Sequence, residues 1–156
     1  METGSVTKRL RAVFDTNVFV SALLSRNPTS PTQELILRWR NDEFGLLVSQ
    51  ALLEELVEKL QERGIEQAQI QELLTTISRL AQWVDVPQNA VVSVLAADPD
   101  DDQILACAVA GEADFLVTYD PHFDPLQGVY GHIKITKALP FLWEVRGDQP
   151  PDTGNR

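Results

Sequence analysis

Two aspartates stand at the ends of apolar runs that are typical of buried strands. Asp15 directly follows residues 10–14 (LRAVF), and Asp120 closely follows residues 116–117 (LV). A carboxylate in such a position loses hydration, and a divalent cation is one group that compensates for the loss. Each acid also has a simpler interpretation. Asp15 could equally well cap the next helix, and Asp120, which precedes Pro121, favours a turn when taken alone.

The densest acidic run, residues 98–102 (DPDDD), predicts both a helix start and further candidate ligands. Asp98 is a natural N-cap, Pro99 suits the first helical position, and first-turn acids favour the helix dipole. Capping needs one or two acids, whereas this run has four. Asp101 should begin the inward side of the helix, and Asp102 should point away more.

A glutamate pair lies on a predicted helix that Ser49 caps. Glu55 is three residues after Leu52, so it can border the apolar stripe of this helix, while Glu54 should be a solvated charge. Without the other acids, a solvated charge would be the better interpretation of Glu55 as well.

Other reactive side chains carry less weight. Cys107 lies among alanines and is typical of a small core residue. His122 could reach the acids, but an ordinary loop histidine is the favoured interpretation, and His132 should be structural or exposed. The sequence has no serine–histidine–acid pattern and no glycine-rich phosphate loop, which argues against those chemistries.

The elements that must position these acids alternate along the chain. Apolar runs predict strands at residues 10–14, 44–48, 83–86, 115–118 and 133–135. Helical patterns occupy residues 18–24, 32–41, 50–61, 65–82, 98–110 and 138–143. This alternation predicts an α/β fold with a mostly parallel sheet and helices on both faces. In such sheets ligands bind beyond the carboxyl ends of the strands, where Asp15 and Asp120 stand.

Length and composition fit one domain. The chain has 156 residues and 44% hydrophobic residues, so we expect one domain over residues 9–146 with flexible tails at 1–8 and 147–156. One cysteine, no apolar run of bilayer length and no signal pattern point to a cytoplasmic protein without membrane attachment. The net charge of −10 argues against a broad basic face for nucleic acid.

Four segments in order resemble the PIN-domain family. They are residues 14–18 (FDTNV), 48–56 (VSQALLEEL), 98–106 (DPDDDQILA) and 113–120 (ADFLVTYD). Each motif is weak alone, and the four together on these elements are fairly specific. The resemblance runs from about residue 11 to residue 143 and is closest to the bacterial branch labelled as toxins of toxin–antitoxin pairs.

The resemblance implies a three-layer α/β/α sandwich with a central mostly parallel sheet and a set of site residues. Metal ligands and catalytic groups fall on four acids, which are Asp15, Glu55, Asp101 and Asp120. Asn17 and Thr118 would position a metal-bound water or a phosphate. Glu55 would also orient or deprotonate water. The third acid of the family pattern falls on Asp101, with Asp98 and Asp102 left as alternatives.

The same resemblance implies the reaction and its partners. It implies an endoribonuclease that uses Mg²⁺ or Mn²⁺ to activate water, with RNA as substrate, an antitoxin protein as partner, and a homo-oligomeric assembly. Basic side chains could contact RNA phosphates, although ordinary surface charge is the simpler interpretation of each. They are Arg26, Arg38, Arg40, Lys134 and Lys137.

Two other functions remain open at this point. A haloacid-dehalogenase-type Mg²⁺ phosphatase also places an aspartate after its first strand, but it needs a second aspartate where Asn17 stands. A non-catalytic module of the same fold could bind RNA or protein, with the acids serving as caps and surface charge.

Overall fold

A computed structural model of the protein describes residues 9–94 and 99–148, and places six strands in one sheet. The strands are β1 (Arg11–Phe14), β2 (Gly45–Val48), β3 (Gln82–Trp83), β4 (Phe115–Val117), β5 (Val129–Tyr130) and β6 (Ile133–Thr136). Their order is β3-β2-β1-β4-β6-β5, and neighbours are parallel except for β5, which is antiparallel to β6. The predicted acid Asp98, the predicted tail 1–8 and residues 149–156 of the predicted tail 147–156 lie outside the described residues.

Helices cover both faces of this sheet. They are α1 (Thr16–Leu24), α2 (Pro31–Arg40), α3 (Gln50–Glu62), α4 (Gln67–Leu80), α5 (Pro99–Ala110) and α6 (Ala138–Arg146). Successive strand residues point to opposite faces, so Phe14 joins the core under α1, α2 and α6, while Val13 joins the core under α5. The predicted three-layer α/β/α architecture with a mostly parallel sheet is confirmed. None of the helices in residues 9–94 and 99–148 is long and apolar enough to span a bilayer.

Side-chain caps mark the starts of α1 and α3, and tertiary context explains the differences from prediction. The Ser49 side chain accepts a hydrogen bond from the Leu52 N–H, as expected of an N-cap. Asp15 caps α1 by accepting a hydrogen bond from the N–H of the next residue, Thr16, and this helix begins at Thr16, two residues before the predicted start at 18. The predicted helix 65–82 is shorter, because Ile65 packs into the core from the preceding turn.

The region after β4 contains structure that the apolar pattern did not predict. Residues Pro121–Leu126 form a 3₁₀ helix with two prolines, and β5 pairs with β6 through a tight turn at Gly131. Strand β3 spans only Gln82–Trp83, so the predicted strand at 83–86 is wrong in its extent. The 3₁₀ helix matters for function because it follows Asp120 directly.

An aromatic cluster on one face holds the α6 layer against the strands. The ring of Phe141 lies with its centroid 5.0 Å from that of Phe115, 5.1 Å from Phe44 and 6.0 Å from Phe14. Phe141 is fully buried. This one side chain therefore joins α6 to strands β1 and β4.

We expect Phe141→Ala to lower the free energy of unfolding by about 3–5 kcal/mol, because it removes a large buried ring and leaves a cavity. Chemical denaturation would measure the change. Leu139→Ala is the matched control, since Leu139 lies on the same helix but is 40% exposed. Equal losses for the two variants would contradict this account of the core.

Candidate active site

The candidate site begins where β1 and β4 end side by side. Val13 pairs with Leu116 and Phe14 with Val117, so Asp15 and Thr118 lie at the same edge of the sheet. The Asp15 N–H donates to the Val117 carbonyl at 2.9 Å. The Asp15 carboxylate, only 4% exposed, accepts hydrogen bonds from the Thr118 hydroxyl and the Thr16 N–H, each at 2.7 Å. Two neighbouring strand ends are thus joined through one buried acid.

Asn17, in the first turn of α1, also links Asp15 to the backbone after β4. Its Nδ2 donates to Asp15 Oδ2 at 3.4 Å, and its Oδ1 accepts from the Tyr119 N–H at 3.3 Å. The observed contacts of Asn17 and Thr118 are therefore with Asp15 and the backbone after β4. Both side chains hold the Asp15 carboxylate in position, and their predicted contact with a metal-bound water or a phosphate stays a prediction.

Asp120 serves as a helix cap and also faces the site. Its N–H donates to the Thr118 hydroxyl at 2.9 Å, which continues the hydrogen-bond chain from Asp15. Its Oδ1 accepts from the His122 N–H at 2.9 Å and so begins the 3₁₀ helix. The turn interpretation of Asp120 is correct, and it does not exclude a ligand role, because the side chain remains partly exposed.

Asp101, Asp120 and His122 form a group of side chains that could hold a metal ion. The ligand atoms of these three side chains lie within 4.8 Å of one another. His122 Nδ1 is 2.9 Å from Asp101 Oδ2 and 3.4 Å from Asp120 Oδ1. His122 therefore does reach the acids, as the sequence allowed, although an ordinary loop histidine was the favoured interpretation. The sequence did carry one indication of this contact, since His122 comes two residues after Asp120. The turn at Pro121 brings the imidazole back toward that acid.

Glu55 lies close enough to Asp15 to feel its charge, and its hydrogen-bond partner is Asp100. The pKa of Glu55 is raised to about 7, first by burial and then by the charge of Asp100, a hydrogen bond with Asp100 and the charge of Asp15. Asp100 was not among the predicted site residues. It belongs to the first turn of α5, and Glu55 to α3, so the pair spans an open cleft of about 440 Å³. Glu54 instead accepts a hydrogen bond from Gln50 Nε2.

The three described acids of the run at the start of α5 contact different partners. Asp101 points to His122, and Asp100 points to Glu55. Asp102 is 6% exposed and accepts a hydrogen bond from the Val94 N–H at 3.0 Å, which anchors the segment before the helix. The prediction that Asp102 points away more than Asp101 is wrong, because both side chains are buried.

A divalent cation fits the donors present at this edge. Burial raises the pKa of Asp15, and the nearby charge of Asp120 raises it further, against the opposing hydrogen bonds from Thr118 and Thr16. Buried acids that repel each other in this way favour a compensating positive charge. Two carboxylates and one imidazole in a single group are donors that divalent metal ions accept.

The predicted phosphate-contacting cations have different surroundings. Arg38 pairs with Glu34 and Glu43, and the Lys134 ammonium lies 5.7 Å from the centre of the Phe115 ring. Lys137 lines a cavity of about 260 Å³ that Thr118 and Asp120 also line. Lys137 is therefore placed beside the candidate site. The remaining two, Arg26 and Arg40, are exposed on the surface.

The protein is an α/β/α domain with a mostly parallel sheet. Its acids lie at the carboxyl edge of the sheet, where domains of this class bind their ligands. Sequence comparison identifies the family within this class. The profile described as PIN domain matches residues 11–122, most of the chain, and the chain belongs to the PIN-domain family. The resemblance stated from the four motifs is confirmed, and this membership argues against the haloacid-dehalogenase alternative.

Solved structures also contain similar folds. A crystal structure of VapBC2 from Rickettsia felis bound to a DNA fragment from their promoter matches with a TM-score of 0.57 and 16% identity. The match covers 81% of this chain and 97% of that chain. At this identity the likeness concerns the fold. No curated protein sequence shows a significant match to this chain.

Proposed function

We propose that the protein is a metal-dependent endoribonuclease that cleaves RNA phosphodiester bonds with Mg²⁺ or Mn²⁺. The observation that carries the proposal is the meeting of Asp101 and Asp120 in one ligand group, next to the buried Asp15. Family membership supports a nuclease, and the acids supply the oxygen ligands that Mg²⁺ and Mn²⁺ accept. The net charge of −10 is compatible with this, because the substrate phosphate is then attracted by the ion.

Each acid has a distinct task in this proposal. A bound ion would activate water as a nucleophile and stabilise charge on the departing oxygen. Asp101 and Asp120 would hold the ion, with Asp15 as a further ligand kept in place by Thr118 and Asn17. Glu55, whose pKa is about 7, suits the acceptance of a proton from the attacking water near neutral pH.

Metal removal and replacement test this proposal directly. Protein treated with EDTA should leave RNA intact, and addition of Mg²⁺ or Mn²⁺ should restore cleavage. Calorimetric titration with Mn²⁺ should show binding that disappears in an Asp15→Asn/Asp101→Asn double variant. RNA binding without cleavage under any metal condition would favour the non-catalytic module, and single-stranded DNA in a parallel assay would show whether the sugar matters.

Lys137 is expected to contact an RNA phosphate. Lys137→Gln should raise KM several-fold with little change in kcat, because one charge that attracts the substrate is lost equally from ground and transition states. The slope of log KM against log salt should fall by about 1. Steady-state kinetics at several salt concentrations would measure both. Arg26→Gln, a change at an exposed cation, is the control, and an equal effect there would count against a specific role for Lys137.

We extend the proposal to a biological setting. The protein would be a cytoplasmic toxin that a partner antitoxin restrains, with the catalytic fold in residues 9–146 and assembly into homo-oligomers. The fold similarity to a VapBC2 structure supports the antitoxin partner. Expression of the chain in bacteria should then slow growth, and Asp101→Asn should remove this effect. Normal growth despite accumulation of intact wild-type protein would count against toxin function. Light scattering would give the oligomeric state.

A further inference from the structure

We propose that His122 supplies an imidazole nitrogen ligand to the metal ion, which makes the site prefer Mn²⁺ to Mg²⁺. The proposal depends on the proposed function for the presence of an ion and adds the identity of one ligand and the direction of metal selectivity. Its basis is the placement of His122 between Asp101 and Asp120.

The separations around His122 match those of neighbouring ligands on one ion. Adjacent ligands at right angles around an octahedral ion, with bonds of about 2.1 Å, lie roughly 3.0 Å apart. His122 Nδ1 is 2.9 Å from Asp101 Oδ2 and 3.4 Å from Asp120 Oδ1. A nitrogen at these distances from two carboxylate oxygens is placed to share their ion.

The backbone presents this imidazole from a well-anchored turn. The His122 N–H donates to Asp120 Oδ1 at 2.9 Å, and the next residue, Phe123, is 2% exposed in the core under α5. Asp101, on the opposite side of the contact, is 4% exposed. Packing therefore fixes Asp101 and the backbone that carries His122, while the imidazole itself is 43% exposed and open to solvent; an anchored backbone lowers the entropic cost of holding a ligand geometry.

Nitrogen ligation changes which ion the site prefers. Mg²⁺ takes oxygen ligands and keeps several waters, whereas imidazole is a ligand of transition-metal ions. A site with two carboxylates and one imidazole should therefore bind Mn²⁺ more tightly than a site of carboxylates alone, with little gain for Mg²⁺. The competing role for His122 is a hydrogen bond that only orients Asp101, and this would affect both ions alike.

Electron spin echo envelope modulation of the Mn²⁺-loaded full chain tests direct ligation. The wild type should show nitrogen modulation that changes when histidine is labelled with ¹⁵N, and His122→Asn should lose it. The chain has two histidines, so His132→Asn, at an exposed turn, is a matched control that should keep the signal. Circular dichroism of both variants would verify folding, and the labelled wild type tests ligation without any substitution.

Calorimetric titration tests selectivity. His122→Asn should weaken Mn²⁺ binding about 10-fold or more, at least as much as the loss of an outer-shell partner, and change Mg²⁺ binding much less. Mn²⁺ binding without nitrogen modulation, alongside normal metal-dependent cleavage, would overturn the His122 proposal and leave the nuclease proposal intact. Equal weakening of both ions would also overturn it in favour of an orienting role. Absence of metal binding to the wild type would overturn both proposals.

Discussion

Asp101→Asn should lower metal-dependent RNA cleavage by about a thousandfold or more while the protein still folds. Asparagine keeps the size of the side chain but removes the negative charge that would hold the ion. Loss of an ion that contributes several kcal/mol to the transition state corresponds to a change of this size. Asp15→Asn should have the same effect. Single-turnover cleavage of a labelled RNA at saturating metal would measure both.

The control for this experiment is an acid outside the site. Asp85→Asn changes the net charge by the same amount at an exposed position between β3 and the 3₁₀ helix Gln88–Ala90, and cleavage should be unchanged. Normal cleavage by purified Asp15→Asn or Asp101→Asn protein would defeat the assignment of the site.

The convergence of Asp15 and Asp120 could be predicted from sequence because it depends only on strand ends. Alternating strands and helices imply parallel strands, and the carboxyl ends of parallel strands share one edge. The adjacency of β1 and β4 was not determined by this pattern, since the alternation does not specify the strand order. The hydrogen bond from Thr118 to Asp15 depends on that adjacency.

His122 and Asp100 were missed because their positions depend on geometry that periodicity does not report. His122 reaches Asp101 through a 3₁₀ turn with a proline, and apolar spacing carries no signal for such a turn. Asp100 faces Glu55 because of the packing of α5 beside α3. The burial of Asp102 likewise comes from a backbone segment, at Val94, that has no regular pattern.

Glu55→Gln should reduce kcat by about a hundredfold or more and flatten the acidic limb of the pH–rate profile. A general base contributes roughly 10²- to 10⁴-fold, and glutamine cannot accept the proton. In the metal-free protein the pKa of Glu55 is about 7, so the side chain is protonated below that pH. A nearby cation favours the Glu55 carboxylate over its protonated form, so metal affinity should rise as pH approaches 7 and level off above it.

Glu54→Gln, one residue away at an exposed position, is the control and should keep the acidic limb. The limb itself should lie at a lower pH when metal is bound, since a cation favours the carboxylate. An acidic limb that is identical in the wild type and in Glu55→Gln would exclude Glu55 as the base. The charge of Asp100 and the hydrogen bond with it help to raise the pKa of Glu55, so Asp100→Asn should shift the limb further toward acid without removing it.

Thermal unfolding provides an independent readout of the same groups. Acids whose pKa is raised by folding destabilise the metal-free protein as pH rises from the unfolded value toward the folded one. Glu55 and Asp15 act in this direction. Glu34 acts in the opposite direction, because Arg146 and Arg38 lower its pKa to about 2. Glu34 therefore stabilises the protein above about pH 4.5 and loses this contribution toward pH 2. Between pH 5 and 7.5 Glu34 is already ionised, so Glu55 should dominate. Metal-free protein should therefore melt at a higher temperature at pH 5 than at pH 7.5. Glu55→Gln should reduce this difference in melting temperature. Mn²⁺ should also reduce it, by stabilising the protein at pH 7.5.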